Sequence, residues 1–230
     1  MVTKEYLEME EAAQLEEVAP CLRDKLMFRT CRMLGCRISE ILDIAVEDIN
    51  FKKHEVTILH EKVRIKLSCP HCGSRLGKKS KFCSGCGSKV EKAEQEEQER
   101  RRVRTLPVDQ GTLEMMKEYI KRKGPVEKNG RSYLFPMTRN RAWQIFRECS
   151  QKAGLPEIIN QETGKVHHVS PHRLRDAFAI HAAKKNFTGD GLRLLQEHMG
   201  HEDVGTTMKY RKVAGKERKE WYDDLFQEEK

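Results

Sequence analysis

Apolar residues recur at threes and fours through much of the chain, a period that predicts helices. Leu and Ala at that spacing in the Glu-rich stretch 6–18 predict a first helix. Leu22, Leu26, Met33, Leu34, Ile38, Ile41 and Leu42 predict a stronger helical region over 21–45, with Gly35 marking a turn between two helices. The period then changes. Ile49 and Phe51 precede a polar Lys-Lys-His-Glu turn, and Val56–Leu59 reads as a strand; a second strand fits Arg102–Leu106, ended by Pro107. The stretch 91–104 carries five acids first and an arginine cluster last, an order that suits a helix dipole, and it reads as a solvated helix or linker. Further helices are predicted at 112–122, 142–153, 172–185, 190–199 and 203–210, with loops at 124–131 and 160–168. The tail 216–226 is charged yet holds Trp221, Tyr222, Leu225 and Phe226. No internal repeat is visible.

Between the two predicted strands lie Cys69-Pro-His-Cys72-Gly and Cys83-Ser-Gly-Cys86-Gly, two near-copies of one knuckle. Each places two thiolates around a tight turn, and four soft ligands with no carboxylate favour Zn²⁺ held tetrahedrally. Such a site is closed, so the metal is structural, and few apolar residues lie between Cys69 and Cys86 to build a core without it. His71 is surplus to a four-cysteine set. The expected unit is a zinc ribbon at 67–90. Its basic run Arg75, Lys78, Lys79, Lys81 and Lys89 mildly favours contact with DNA. The other cysteines, Cys21, Cys31, Cys36 and Cys149, read as ordinary thiols of a reducing compartment.

Charge sharpens this picture. The chain of 230 residues is 35% charged, with a mean hydropathy of −0.75 and a net charge of +8. Residues 1–20 carry −5, which leaves +13 on the other 210. A basic body points to a polyanionic partner, nucleic acid first. No apolar run approaches the ~20 residues of a membrane span, and the acidic start lacks a signal-peptide pattern. The expected setting is the cytoplasm, with no membrane partner.

Six of the nine histidines lie between 167 and 201. Two stand in Pro171-His172-Arg-Leu-Arg175 and Met199-Gly200-His201, with Tyr210 nine residues further on; upstream lies Cys36-Arg37-Ile-Ser-Glu40-Ile-Leu42. Each piece alone has a bland reading: an i, i+3 ion pair, a solvated helix face, a packed tyrosine. Together and in this order, GCRISEILDIAVEDI, PHRLRDAFAIHAA and LLQEHMGHEDVGTTMKYRKV resemble the catalytic domain of the tyrosine recombinase (phage integrase) family, and SYLFPMTRNRAWQIFRECSQKAGLP resembles its middle region. The resemblance covers about 20–213 apart from the ribbon, an insert that looks archaeal-like.

The resemblance implies an α+β fold, mainly helical, with a small antiparallel sheet, one catalytic domain over 1–230 and the ribbon inserted in a β-hairpin. It implies strand cleavage through a 3′-phosphotyrosine and transfer to another strand, without ATP or other cofactor. It makes Arg37, His172, Arg175, His201 and Tyr210 the catalytic set, double-stranded DNA the substrate, and a tetramer on paired sites the working assembly. The chemistry fits these residue types. Two guanidinium forks can hold the non-bridging oxygens as charge grows. Nearby Arg⁺ lowers the phenol pKa, His172 accepts its proton or orients it, and His201 donates to the phosphate.

Two departures from the family pattern stand out. Its catalytic lysine falls in the hairpin that here carries the ribbon, leaving Lys62, Lys66 and Arg102 as candidates. Its N-terminal clamp domain has no counterpart in the ~20 residues before the match. The rival readings are a non-catalytic zinc-ribbon DNA-binding protein on a recombinase fold, a type IB topoisomerase-like enzyme, and a metal-dependent nuclease built on the histidines. The last lacks any HExxH-like or carboxylate-rich motif. The C-terminal segment either docks on another protomer or packs on its own helices.

Overall fold

The computed structural model describes residues 6–77, 80–90, 94–159, 164–186 and 188–211, apart from the side chains of 60–66, 94–102 and 211. The tail 216–226 therefore lies outside the described residues. Eight helices occur among them: α1 (Met9–Glu17), α2 (Leu22–Leu34), α3 (Ile38–Leu42), α4 (Gln110–Lys121), α5 (Arg139–Lys152), α6 (Pro171–Lys185), α7 (Gly189–Met199) and α8 (Val204–Met208), the last followed by a 3-10 turn at Lys209–Arg211. Strands β1 (Ile49–Asn50), β2 (Glu55–Ser68) and β3 (Glu94–Pro107) form one sheet in that order, with Ile49 opposite Val56. Two small antiparallel pairs complete the set, β4 (Val126–Lys128) with β5 (Arg131–Tyr133) and β6 (Ile158–Ile159) with β7 (Val166–His167). The fold is α+β and mainly helical, as the resemblance implies.

The chain divides into two compact units, residues 1–58 with 104–230, and residues 59–103. The larger has a main core in which Leu26, Phe28, Leu34 and Ile41 meet Val56, Ile58, Leu106, Met116, Phe135, Ile145 and Phe146. Phe28 and Phe146 meet edge to face, 4.7 Å between centroids. A second, smaller cluster joins α6 to α7 through Ala179, Ala183, Leu195 and Met199, with the Tyr210 ring packed on it. Helix caps follow from sequence: Asp109, Thr138 and Thr188 each accept an amide from the first turn of α4, α5 and α7.

Three expectations fail. The stretch 91–104 is no solvated helix or linker: from Glu94 onward it is strand β3 beside β2. A charged segment has weak intrinsic preference, and ladder hydrogen bonds to a neighbouring strand decide its state. The predicted loop at 124–131 is a hairpin around Asn129-Gly130, both at positive φ. That dipeptide is a type I′ signal that the apolar period does not register. Likewise β7 lies within the loop predicted at 160–168, paired with β6 just before it.

Gly35 behaves as predicted, and its conformation matters downstream. It ends α2 at φ +58, and a Cβ there would lie 2.4 Å from the Phe178 ring of α6. Gly35→Ala is expected to lower stability by about 2 kcal/mol or more, from left-handed strain and overpacking together. Thermal unfolding checks this; an unchanged midpoint would mean that Phe178 yields freely.

Candidate active site

The turn after Gly35 places Arg37 at the N-cap of α3. Its amide donates to Glu40 Oε2 at 2.9 Å and its guanidinium to Oε1 at 2.9 Å. The Glu40 side chain is 1% exposed and also takes Arg104, from the end of β3, at 2.7 Å. Burial pushes the Glu40 pKa up, but the hydrogen bonds and charge of Arg104, with those of Arg37, outweigh it and hold the carboxyl below its ordinary value. Arg104 is a site residue that the sequence reading missed. On a strand it shares a face with buried Leu106 and Val108, and a cation on an inward face requires a carboxylate partner.

Arg175 is 2% exposed on α6. It donates to Gly35 O at 2.8 Å and Met199 O at 2.6 Å, and its NH2 lies 3.1 Å from His201 Nε2. Gly200, at φ +65, ends α7 and turns the chain so that the His201 amide reaches back to Gln196 O. The other ring nitrogen of His201, Nδ1, lies 2.9 Å from Thr207 Oγ1. A guanidinium can only donate, so Nε2 accepts and Nδ1 carries the hydrogen. Burial first, then Arg175, Arg37, Arg104 and His172, push the His201 pKa down to about 4. The ring is thus neutral at rest, with Nε2 accepting from Arg175 and Nδ1 facing Thr207.

Tyr210 stacks beside His201, centroids 6.2 Å apart, and its hydroxyl donates to Asp176 Oδ1 at 3.2 Å. The phenol is not activated. Burial first, then the Asp176 charge, drive its pKa above the ordinary value, and Arg175 and Arg37 pull the other way without prevailing. The lowering expected from the arginines is present but outweighed. His172 is exposed on the first turn of α6, with Nε2 3.8 Å from Asp176 Oδ1.

Arg37, His172, Arg175, His201 and Tyr210 all line one cavity of about 1030 Å³, with Ser39, Arg139, Trp143, Arg173, Asp176 and Lys209. The structure therefore brings together all five residues singled out from the sequence. A cavity so rich in cations suits an anion, and hydrogen-bond donors fixed by helix turns need no reorganisation to receive one. Lys62, Lys66 and Arg102 lie on β2 and β3, where side chains are not described. His198 lies beneath the site, stacked on Phe178 at 4.9 Å and donating to Leu34 O at 2.9 Å.

In the smaller unit the Sγ atoms of Cys69, Cys72, Cys83 and Cys86 lie within 4.8 Å of one another. The contacts Cys69–Cys86 at 3.7 Å and Cys72–Cys83 at 3.5 Å are too long for disulfides. They match the ~3.8 Å edge of a tetrahedron with 2.3 Å metal–sulfur bonds. The donor set fits a metal ion.

Residues 5–217 match the phage integrase family, so the chain belongs to that family. Tyrosine recombinase XerA of Pyrococcus furiosus is 28% identical over 222 residues, covering 92% of this chain and 58% of that protein. Tyrosine recombinase XerD of Corynebacterium glutamicum is 28% identical over 200 residues, covering 84% of this chain and 49% of its own. The chain thus spans about half the length of these relatives. Among solved structures, XerA recombinase shares 18% identity with a TM-score of 0.62, covering 98% of this chain and 65% of its own. XerH site-specific recombinase, bound to palindromic difH substrate in a post-cleavage complex, gives 0.59 at 19% identity, covering 96% and 53%. These likenesses place the fold. Among the described residues no helix is long and apolar enough to cross a membrane.

The His201 geometry carries a pH prediction. Its folded pKa lies below the ordinary ~6.5, so its contribution to stability is full above that value and is lost as pH falls through about 4. NMR titration should find the ring neutral down to that range, and His201→Asn should flatten the acid loss in the same window. A ring that titrates near 6.5 would contradict the Arg175 contact.

Proposed function

We propose that this chain is the catalytic portion of a site-specific DNA recombinase that cuts one strand of double-stranded DNA through a 3′-phosphotyrosine and rejoins it to another. The observation that carries the reading is the convergence of Arg37, His172, Arg175, His201 and Tyr210 on one cationic cavity. Arg37 and Arg175 hold the scissile phosphate and strengthen their contacts as negative charge grows. Tyr210 is the nucleophile. His201 turns its ring to the phosphate once the anion offsets the arginine field that keeps it neutral. The attacked phosphate conserves its bond energy in the tyrosyl ester, so ATP is not needed. Assembly as a tetramer on paired sites and a cytoplasmic setting accord with this chemistry and with the relatives named tyrosine recombinases.

A nicked suicide substrate tests the reading. The wild-type chain should form a covalent adduct, and Tyr210→Phe should bind DNA without forming one. Arg37→Ala and Arg175→Ala should each cleave at least ~100-fold more slowly, as with loss of an oxyanion donor. Lysine at either site should rescue poorly because it lacks the bidentate fork. An adduct formed by the phenylalanine variant would overturn the assignment of Tyr210.

The four-cysteine unit is assigned to structural zinc. Buried Cys69, Leu76 and Cys83, with Leu67 and Val90 against them, form its small core, so the metal supplies much of its folding energy. Metal analysis should find zinc bound by the purified protein, and a chelator or Cys72→Ser should open 67–90 to protease. Full protection of that segment without metal would sink the assignment.

A further inference from the structure

Asp176 follows Arg175 on α6, one helical turn beyond His172. Its Oδ1 accepts the Tyr210 hydroxyl at 3.2 Å and lies 3.8 Å from His172 Nε2, while Oδ2 is held by Arg173 at 3.1 Å. The carboxylate therefore stands between the phenol and the imidazole, and its side chain is only 14% exposed. We infer that Asp176 takes the Tyr210 proton during attack on phosphorus and passes it to His172, so that the carboxylate is the first proton acceptor of the nucleophile. The inference rests on the recombinase reading above.

The chemistry requires each of these contacts. A base must be ionised to accept a proton, and Arg173 pairs with Oδ2 at 3.1 Å, which leaves Oδ1 to the phenol. His172 lies beside the receiving oxygen, and its side chain is 68% exposed, open to exchange with water. The 3.8 Å separation is outside hydrogen-bond range and within the reach of a rotamer change, and catalytic hydrogen bonds commonly tighten when substrate binds. In the step itself the Tyr210 oxygen forms a bond to phosphorus and the bond from phosphorus to the 5′-oxygen breaks. The electron pair leaves with that oxygen, which takes a proton from water or a cationic side chain. The phenol proton goes to Asp176 Oδ1, then to His172 Nε2, then to solvent.

The charged and titratable groups that line the cavity with Asp176 are His172, Arg173 and Arg175 on α6, Cys36 and Arg37 ahead of α3, His201 after α7, Lys209 and Tyr210 beyond α8, Arg139 on α5 and Tyr6. Of these, His201 is depressed to about 4, below the pH range of the test.

The test is single-turnover cleavage of the suicide substrate at saturating DNA by the full chain, from about pH 5 to about pH 9. Asp176→Asn should bind DNA normally and cleave at least ~100-fold more slowly, as for loss of a general base. Its rate should also climb about tenfold per pH unit where the wild type is flat, because hydroxide replaces the missing acceptor. Asp176→Glu should cleave within about tenfold of wild type and keep the wild-type profile. An Asn variant as fast as wild type, or faster, overturns the proposal and makes Asp176 a restraint on Tyr210. A uniform loss with an unchanged pH profile overturns it too. If the Asn variant does not fold, the Glu variant decides: folded yet as inactive as Tyr210→Phe, it refutes the relay. Failure of the wild-type chain to form an adduct at any pH is a different result, which removes the recombinase reading itself.

Discussion

The buried guanidinium of Arg175 sets the geometry on which the rest of the site depends. An ion taken out of water costs several kcal/mol unless its donors are met. Among the described residues no carboxylate is bonded to it. Its partners are the carbonyls of Gly35 and Met199, which end α2 and α7. Helix C-termini carry partial negative charge and unsatisfied carbonyls. One cation thus satisfies two helix ends, and the ends in turn stabilise the cation. Arg37 follows Gly35 by two residues and His201 follows Met199 by two, so both leave the same clamp at fixed positions. In each case a left-handed glycine makes the close approach: Gly35 under Phe178, and Gly200 where a Cβ would lie 2.4 Å from Arg104.

The electrostatics of the resting site follow from which cations are already engaged. Arg37 and Arg104 share the Glu40 carboxylate, and Arg175 is occupied by carbonyls and by His201. Their field is strong enough to help depress His201, which lies against Arg175, yet it does not govern Tyr210. The phenol sits in the small α6–α7 core with an anion, Asp176, at its oxygen. Burial and that anion both favour the neutral phenol. The phenol is therefore kept protonated in the resting site.

Much of this was legible in the sequence, for identifiable reasons. Helices with a strong 3.6 period appear where Leu26, Leu34, Ile41 and Leu195 predict them, because tertiary burial and local preference agree there. The order Arg37, His172, Arg175, His201, Tyr210 survives as a spatial cluster because each lies on or just beside a helix end that can be read from Gly35, Pro171 and Gly200. What escaped has no period of its own. Arg104 lay in a run of charges whose strand state depends on pairing with β2. Asp176 carries no local signal, since nothing near it in sequence reveals that Tyr210, 34 residues later, returns to it. The expected lowering of the Tyr210 pKa failed for the same reason: it counted the cations near the phenol without its burial or the anion at its hydroxyl.

The insertion of a cysteine unit between β2 and β3 can be understood from where the core anchors fall. Val56 and Ile58 on β2, with Leu106 on β3 and Val108 just beyond it, are buried in the main core, and Arg104 reaches Glu40 from the same end. These residues belong to the larger unit. Leu59–Val103 form a unit of their own, in which the described buried residues are two cysteines and Leu76, with Leu67 and Val90 packed against them. A unit that draws its stability from a metal cluster makes little demand on a neighbouring apolar core. Such an element can be carried between two strands while the strand end that brings Arg104 to Glu40 keeps its packing, so long as the break falls beyond Ile58 and before Arg104.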